Sequence, residues 1–262
     1  MRRILALTAS ITALNFAQPR IFLNQVGYAP HQPKIIALRH AKTDSLYVYH
    51  SSGALRGVFP LSQPIFWDAS QDSVKLADLS ALRDTGSYVL TIPGTSLRTT
   101  LRITPQPYRV ITDAALKFFY YQRASLDLAE PYAGLWKRKA GHADTFVVLH
   151  PSTEAQGSIS APKGWYDAGD YGKYIVNSGI TTYTLLKLYQ DYPQKFRTRS
   201  WNIPESADTI ADLLNEIRWN LEWMLAMQAP DGGVYHKLTS LRFCGDIEPA
   251  ADTDARYAIG KS

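Results

Sequence analysis

The sequence predicts a two-part chain, an all-β sandwich followed by helical hairpins whose connections build a site. Three observations carry this. The apolar period is two from residue 21 to about residue 104. Past Pro105 and Pro107 the period becomes helical. The helical stretches are joined by long, polar, glycine-rich loops, and one of these holds two aspartates among aromatic rings.

The chain has 262 residues, enough for one large domain or two smaller ones. Apolar content of 45% and charged content of 19% are ordinary for a globular protein and argue against disorder. The 6 Trp and 16 Tyr suit sugar stacking and well-filled cores equally. Residues 1–17 read Arg2-Arg3, then an apolar run to Ala17 broken by small polar residues and Asn15. That is the pattern of a secretory signal, with cleavage before Gln18, so the mature protein is expected to be secreted, extracellular or periplasmic. The run is too short and polar for a membrane span. Its removal takes two arginines and lowers the net charge from +5 to +3, and no basic cluster remains to suggest nucleic acid. Cys244 is the only cysteine, which excludes an intrachain disulfide and a cysteine-rich zinc site.

In order, the β region shows strand-like runs at Leu46-Tyr47-Val48-Tyr49, at residues 87–92 and at residues 97–103. Ser52-Gly53, Asp84-Thr85-Gly86 and Pro93-Gly94 punctuate them as turns. Strands and turns at this spacing predict a sandwich. A first helix is predicted from Tyr108 to about Leu128, from Val110, Ile111, Ala114, Ala115, Phe118, Phe119 and Tyr121. Residues 130–163 read as a long loop with Trp136, His142, Asp144 and His150, of which the last three form a weak metal-site candidate. A second helix is predicted from about Tyr171 to Tyr189. A third, capped by Ser206 or Asp208, carries Ile210, Leu213, Leu214, Ile217, Leu221, Met224 and Leu225 on one stripe. Val234-Tyr235-His236-Lys237 reads as another loop after a helix.

The stretch Gly164-Trp165-Tyr166-Asp167-Ala168-Gly169-Asp170-Tyr171-Gly172-Lys173-Tyr174 organises the second part. Two carboxylates three residues apart precede a predicted helix N-terminus, where negative charge is favoured. An Asp-x-Gly-Asp loop can equally be a turn with an N-cap. The spacing does not fit an EF-hand calcium loop. Carboxylates beside flat aromatic surfaces are what sugar hydrolysis needs.

With these residues in view, the chain resembles glycoside hydrolase family 9, in the subgroup with an N-terminal immunoglobulin-like domain. Phe22-Leu23-Asn24-Gln25-Val26-Gly27-Tyr28 is similar to the opening of that β domain, residues 164–171 to the family's catalytic loop, and Asp231-Gly232-Gly233-Val234-Tyr235-His236-Lys237 to a cleft segment. The resemblance implies a multidomain chain: a signal peptide at 1–17, an immunoglobulin-like β-sandwich at 18–104, and the first part of an all-α (α/α)6 toroid at 105–262. It implies hydrolysis of β-1,4-linked glucans with inversion, on a β-glucan polysaccharide or oligosaccharide, with no nucleic-acid partner and no membrane after signal cleavage. Inversion needs a base to activate water and an acid to protonate the leaving oxygen. By motif, Asp170 would be the base and Asp167 would hold the same water. His236 would bind sugar hydroxyls, and Trp165 and Tyr166 would shape the cleft or anchor the loop. The acid, a glutamate of later hairpins, is expected to be missing from this chain. Family members often bind calcium, but no ligand set stands out, so no cofactor is assigned. The competing expectation is a non-catalytic carbohydrate-binding or structural remnant.

Overall fold

A computed structural model describes residues 18–261, and the signal-like segment at 1–17 lies outside the described residues. The chain divides between Ile111 and Thr112 into two compact units.

The first unit holds eight strands: β1 (Arg20–Phe22), β2 (Ile35–Arg39), β3 (Ser45–His50), β4 (Leu55–Pro60), β5 (Ile65–Trp67), β6 (Asp72–Asp78), β7 (Gly86–Thr91) and β8 (Arg98–Ile103). They form two four-stranded sheets, ordered β1-β2-β6-β5 and β4-β3-β7-β8, with antiparallel pairing throughout. Alternation selects the core. Ile36 and Leu38 of β2, Leu46 and Val48 of β3, Tyr88 and Leu90 of β7, and Leu101 and Ile103 of β8 are all buried in one cluster. Burying each such side chain contributes about 1.5–3 kcal/mol. Gly27 is required where the entering chain crosses β8, since φ is +112° and an added Cβ would lie 2.8 Å from the Arg102 carbonyl oxygen.

The second unit is built on helices α1 (Arg109–Tyr121, which begins just before the division), α2 (Glu130–Ala133), α3 (Ile175–Asp191), α4 (Pro193–Phe196) and α5 (Asp212–Ala226). The predicted helices are present but shorter. The first ends at Tyr121 rather than near Leu128 because Arg123 and Trp165 form a backbone bridge that pulls the chain out of helical geometry. The third begins at Asp212. Ser206 and Asp208 do not cap it: Ser206 Oγ donates to Asp212 Oδ2 at 2.7 Å, and Asp208 accepts from the Ile210 amide, holding the turn before the helix.

Residues 130–163 and 234–237, both read as loops, contribute strands. The second unit contains β9 (Val147–Leu149), β10 (Ser158–Ile159), β11 (Lys173–Tyr174), β12 (Tyr235–Ser240) and β13 (Arg256–Lys261), in one sheet ordered β10-β9-β13-β12-β11. His236 and Lys237 thus lie on a strand, because β12 finds partners on both sides. The second helix starts at Ile175 rather than at Tyr171 for the same reason: Lys173 pairs with Leu238 and Tyr174 with Lys237, which keeps both extended. Among the described residues no helix is long and apolar enough to cross a membrane.

Candidate active site

The aspartate loop is tied down at both ends by buried polar groups. At its start, Gly164 has φ +79° and an added Cβ would lie 2.7 Å from Trp223 Cγ, so only glycine lets the backbone pass α5 this closely. The Ala124 amide donates to the Gly164 carbonyl and the Tyr166 amide to the Gln122 carbonyl, each at 2.9 Å. Trp165 is 5% exposed. Its ring packs 4.8 Å from that of Phe119, and its Nε1 donates to Glu216 Oε1 at 2.7 Å. Glu216 is itself buried and accepts from Arg123 Nε, and Arg123 Nη1 and Nη2 donate to the two oxygens of Glu205 at 2.9 and 3.1 Å. Burial pushes the Glu216 carboxyl up, against the pull of Arg123.

Tyr166 is buried next door. Its Oη lies 2.9 Å from His142 Nδ1 and 3.1 Å from the Gly141 carbonyl, and His142 Nε2 lies 3.1 Å from Asp252 Oδ2. Burial, with Arg256 adding to it, holds the His142 imidazole below its ordinary value, so the ring is neutral near pH 7. A neutral ring facing a carboxylate carries its proton on Nε2, and the one proton of the tyrosine hydroxyl is shared between the Gly141 carbonyl and Nδ1.

At the far end, three charged groups meet out of solvent. Asp144 Oδ2 is 2.8 Å from Lys173 Nζ, and Asp144 Oδ1 accepts from Arg256 Nε at 3.1 Å. Lys173 Nζ donates to the carbonyls of Ala161 and Lys163, at 3.0 and 2.7 Å, and pairs with Asp144 by charge. Burial pulls the Lys173 amine down to about 8, with Asp144 opposing. Arg256 Nη2 donates to the Tyr171 carbonyl at 2.8 Å, clamping the residue that follows Asp170. Tyr171 stands at φ +50°, and its hydroxyl donates to the Ile247 carbonyl at 2.5 Å.

Between these anchors the two carboxylates reach the surface. Asp167 is exposed and accepts from Asn177 Nδ2 of α3 at 2.7 Å. Asp170 is half-buried. Its Oδ2 accepts from the Tyr174 hydroxyl at 2.6 Å and its Oδ1 from the Gly172 amide at 3.2 Å. A Cβ on Gly172 would lie 2.7 Å from the Tyr174 ring and 3.0 Å from Asp170 Oδ2, so this close approach needs glycine.

A pocket of ≈ 180 Å³ opens beside Asp167. Its polar rim includes Asp167, Tyr174 and Asn177, and Phe118, Phe119 and Trp165 are among its apolar lining. Of the residues singled out in the sequence, Asp167, Trp165 and Tyr166 line this pocket, and Tyr174 links it to Asp170. His236 is exposed on β12, one residue from the partner of Tyr174, and does not line the pocket. The candidate metal trio is not assembled. His142 is bound to Asp252 and Tyr166, Asp144 to Lys173 and Arg256, and His150 to Ser152. Among the described residues no group of three or more His, Cys, Asp or Glu is placed to hold a metal ion. The groups that the sequence did not single out are Arg123, Glu216, Lys173, Asp252 and Arg256. Their partners lie up to 112 positions away, so no local pattern marks them.

The chain matches known proteins in sequence and in fold. Residues 108–260 match the model of glycosyl hydrolase family 9, and residues 17–96 match the model of the cellulase N-terminal ig-like domain. The chain belongs to glycosyl hydrolase family 9. It is 41% identical over 249 residues to a xyloglucan-specific endo-β-1,4-glucanase of Bacteroides ovatus, covering 92% of this chain and 42% of that protein. It is 28% identical to endoglucanase D of Acetivibrio thermocellus, covering 96% of this chain and 40% of the relative. Among solved structures, a family 9 protein of Bacteroides ovatus superposes with a TM-score of 0.85 at 40% identity, covering 92% of this chain and 45% of that one. A metagenome-derived family 9 endoglucanase superposes with a TM-score of 0.83 at 34% identity, covering 93% and 46%. The chain therefore spans less than half the length of these relatives.

Proposed function

We propose that this chain supplies the base side of a secreted, inverting β-1,4-glucan hydrolase. The observation that carries the reading is the pair of accessible carboxylates, Asp167 and Asp170, on a loop whose two ends are tied into buried ionic clusters beside an aromatic-lined pocket. Rigid presentation of a carboxylate is what a general base needs, because the attacking water must sit in line with the scissile bond. In this reading Asp170 takes the proton of the water, and Asp167, oriented by Asn177, holds the same water. Trp165 and Tyr166 anchor the loop from below, since both are buried with their polar atoms engaged. His236 binds sugar hydroxyls from the neighbouring strand. Both aspartates stand on one loop, so the proton for the leaving oxygen comes from a carboxylic acid on the opposite side of the bond. This chain covers 42% of the Bacteroides ovatus relative, and in this reading the acid belongs to the part it does not cover. The helical elements of the second unit are then the opening hairpins of an (α/α)6 toroid. The basic and apolar run at residues 1–17 supports export.

The test joins this chain to the C-terminal part of the Bacteroides ovatus relative and assays β-1,4-glucans, xyloglucan among them. Asp170→Asn is expected to lower kcat by roughly 10³-fold with an unchanged circular-dichroism spectrum. The first product seen by proton NMR is expected to be the α-anomer. A folded Asp170→Asn variant with normal turnover removes Asp170 from the role of base, and a β-anomer as first product removes inversion.

A further inference from the structure

Tyr174 closes the aspartate stretch and touches the more buried of its two carboxylates. It is the last residue of β11, held opposite Lys237 of β12, and its hydroxyl is 2.6 Å from Asp170 Oδ2. It also lines the pocket into which Asp167 and Asn177 project. We propose that Tyr174 is a positioning residue for the reaction: its hydroxyl holds one oxygen of the Asp170 carboxylate so that the other faces the hydrolytic water. This rests on the reading of Asp170 as the base.

The geometry supports it in three ways. First, the carboxylate is bonded at both oxygens, Oδ2 to Tyr174 and Oδ1 to the Gly172 amide, so rotation about its last torsion breaks both bonds. Each oxygen still has a free lone pair, and Oδ1, bonded at 3.2 Å, is the looser of the two. Second, Gly172 is the device that brings Tyr174 close, since any side chain there would collide with the tyrosine ring. Third, the hydroxyl stays a donor over the whole working range. Burial first, then the hydrogen bond to Asp170 and the charges of Asp170 and Asp167, push it up to about 12. The other groups around the pair are Lys237 of β12, whose Nζ is 5.4 Å from the Tyr174 ring, Arg256 of β13, which lowers the tyrosine, Asp167 of the loop, and Cys244, whose Sγ lies 3.8 Å from the Gly169 carbonyl. Replacing Tyr174 by Phe keeps all of these and the ring, and removes one donor.

Losing a donor to its charged form makes a carboxylate hold its proton more tightly. In the chain joined to the Bacteroides ovatus C-terminal part, the acidic limb of kcat/KM is expected to move up in Tyr174→Phe. There kcat falls about tenfold while KM stays within about twofold. Replacing Tyr174 by 3-fluorotyrosine, a stronger donor, is expected to move the limb the other way. An unmoved acidic limb with unchanged kcat in Tyr174→Phe, in an enzyme that Asp170→Asn inactivates, overturns the role of Tyr174 alone. Normal turnover in Asp170→Asn overturns the reading of the base, and with it this proposal.

Discussion

Among the described residues of the sandwich, Lys34 is the one charged side chain that is buried; in the second unit Arg123, Asp144, Lys173, Asp212, Glu216, Asp252 and Arg256 all are. The sandwich core is an apolar cluster fed by alternate residues of neighbouring strands. In the second unit, apolar clusters around Trp165 and Trp223 are threaded by ion pairs, and nearly every buried charge reaches the aspartate loop or its flanks. Arg123 and Glu216 hold Trp165, Asp252 holds Tyr166 through His142, and Arg256 holds Tyr171. The difference teaches what each kind of core is for. Apolar packing is non-directional and tolerates small shifts. Hydrogen-bonded charges are costly to bury and are directional, so they define where a backbone lies.

The sharpest way to break this comparison is Arg256→Met. It leaves Asp144 with Lys173 alone and the Tyr171 carbonyl without its donor. A loss of about 3–5 kcal/mol from urea unfolding is expected, as for one partner of a buried pair. Amide exchange is expected to speed up around residues 164–174 and to leave the sandwich protected. Uniform deprotection of both units would contradict the division. Next comes Leu90→Ala in the sandwich, where Leu90 is fully buried. It is expected to cost about 2–4 kcal/mol, as for a cavity, with the converse exchange pattern.

A smaller effect separates the units by pH. His142 has a folded value below its unfolded one, chiefly through burial. The unfolded chain therefore binds the proton first. The stability contributed by neutral His142 is complete above the unfolded value and is lost as pH falls below about 6.5. The second unit is expected to lose stability between pH 7 and 5, and His142→Gln to flatten that dependence. An unchanged slope in His142→Gln would assign the dependence to other groups. The smallest effect is expected for Asp44→Asn, which removes a 2.7 Å pair to Lys75 on the sandwich surface where Asp44 is 87% exposed. Its unfolding midpoint is expected to move by no more than about 0.5 kcal/mol equivalent.

The legible parts of the molecule are those with a local signal. Leu46 and Val48, or Leu101 and Ile103, alternate visibly and are buried as alternation requires. Leu213 and Ile217 fall four apart and are buried on α5. Asp167 and Asp170 stand out because glycines and aromatic residues surround them, and the structure leaves both accessible between two anchors. The same local reading carried the second helix too far back to Tyr171 and left residues 234–237 as a loop. Lys173 and Lys237 look like surface residues until β11 and β12 pair.

By itself, then, the sequence determined that residues 21–104 are β, where the three long helices run, and which loop carries the carboxylates, because periodicity and turn chemistry act over a few residues. Only the tertiary structure decided how that loop is held. His142 meets Asp252 across 110 positions, Arg256 meets Asp144 across 112, and Arg123 meets Glu216 across 93. A charged residue alone in a sequence reads as a solvated one. It becomes an anchor only when the fold removes it from water and places its partner within about 3 Å.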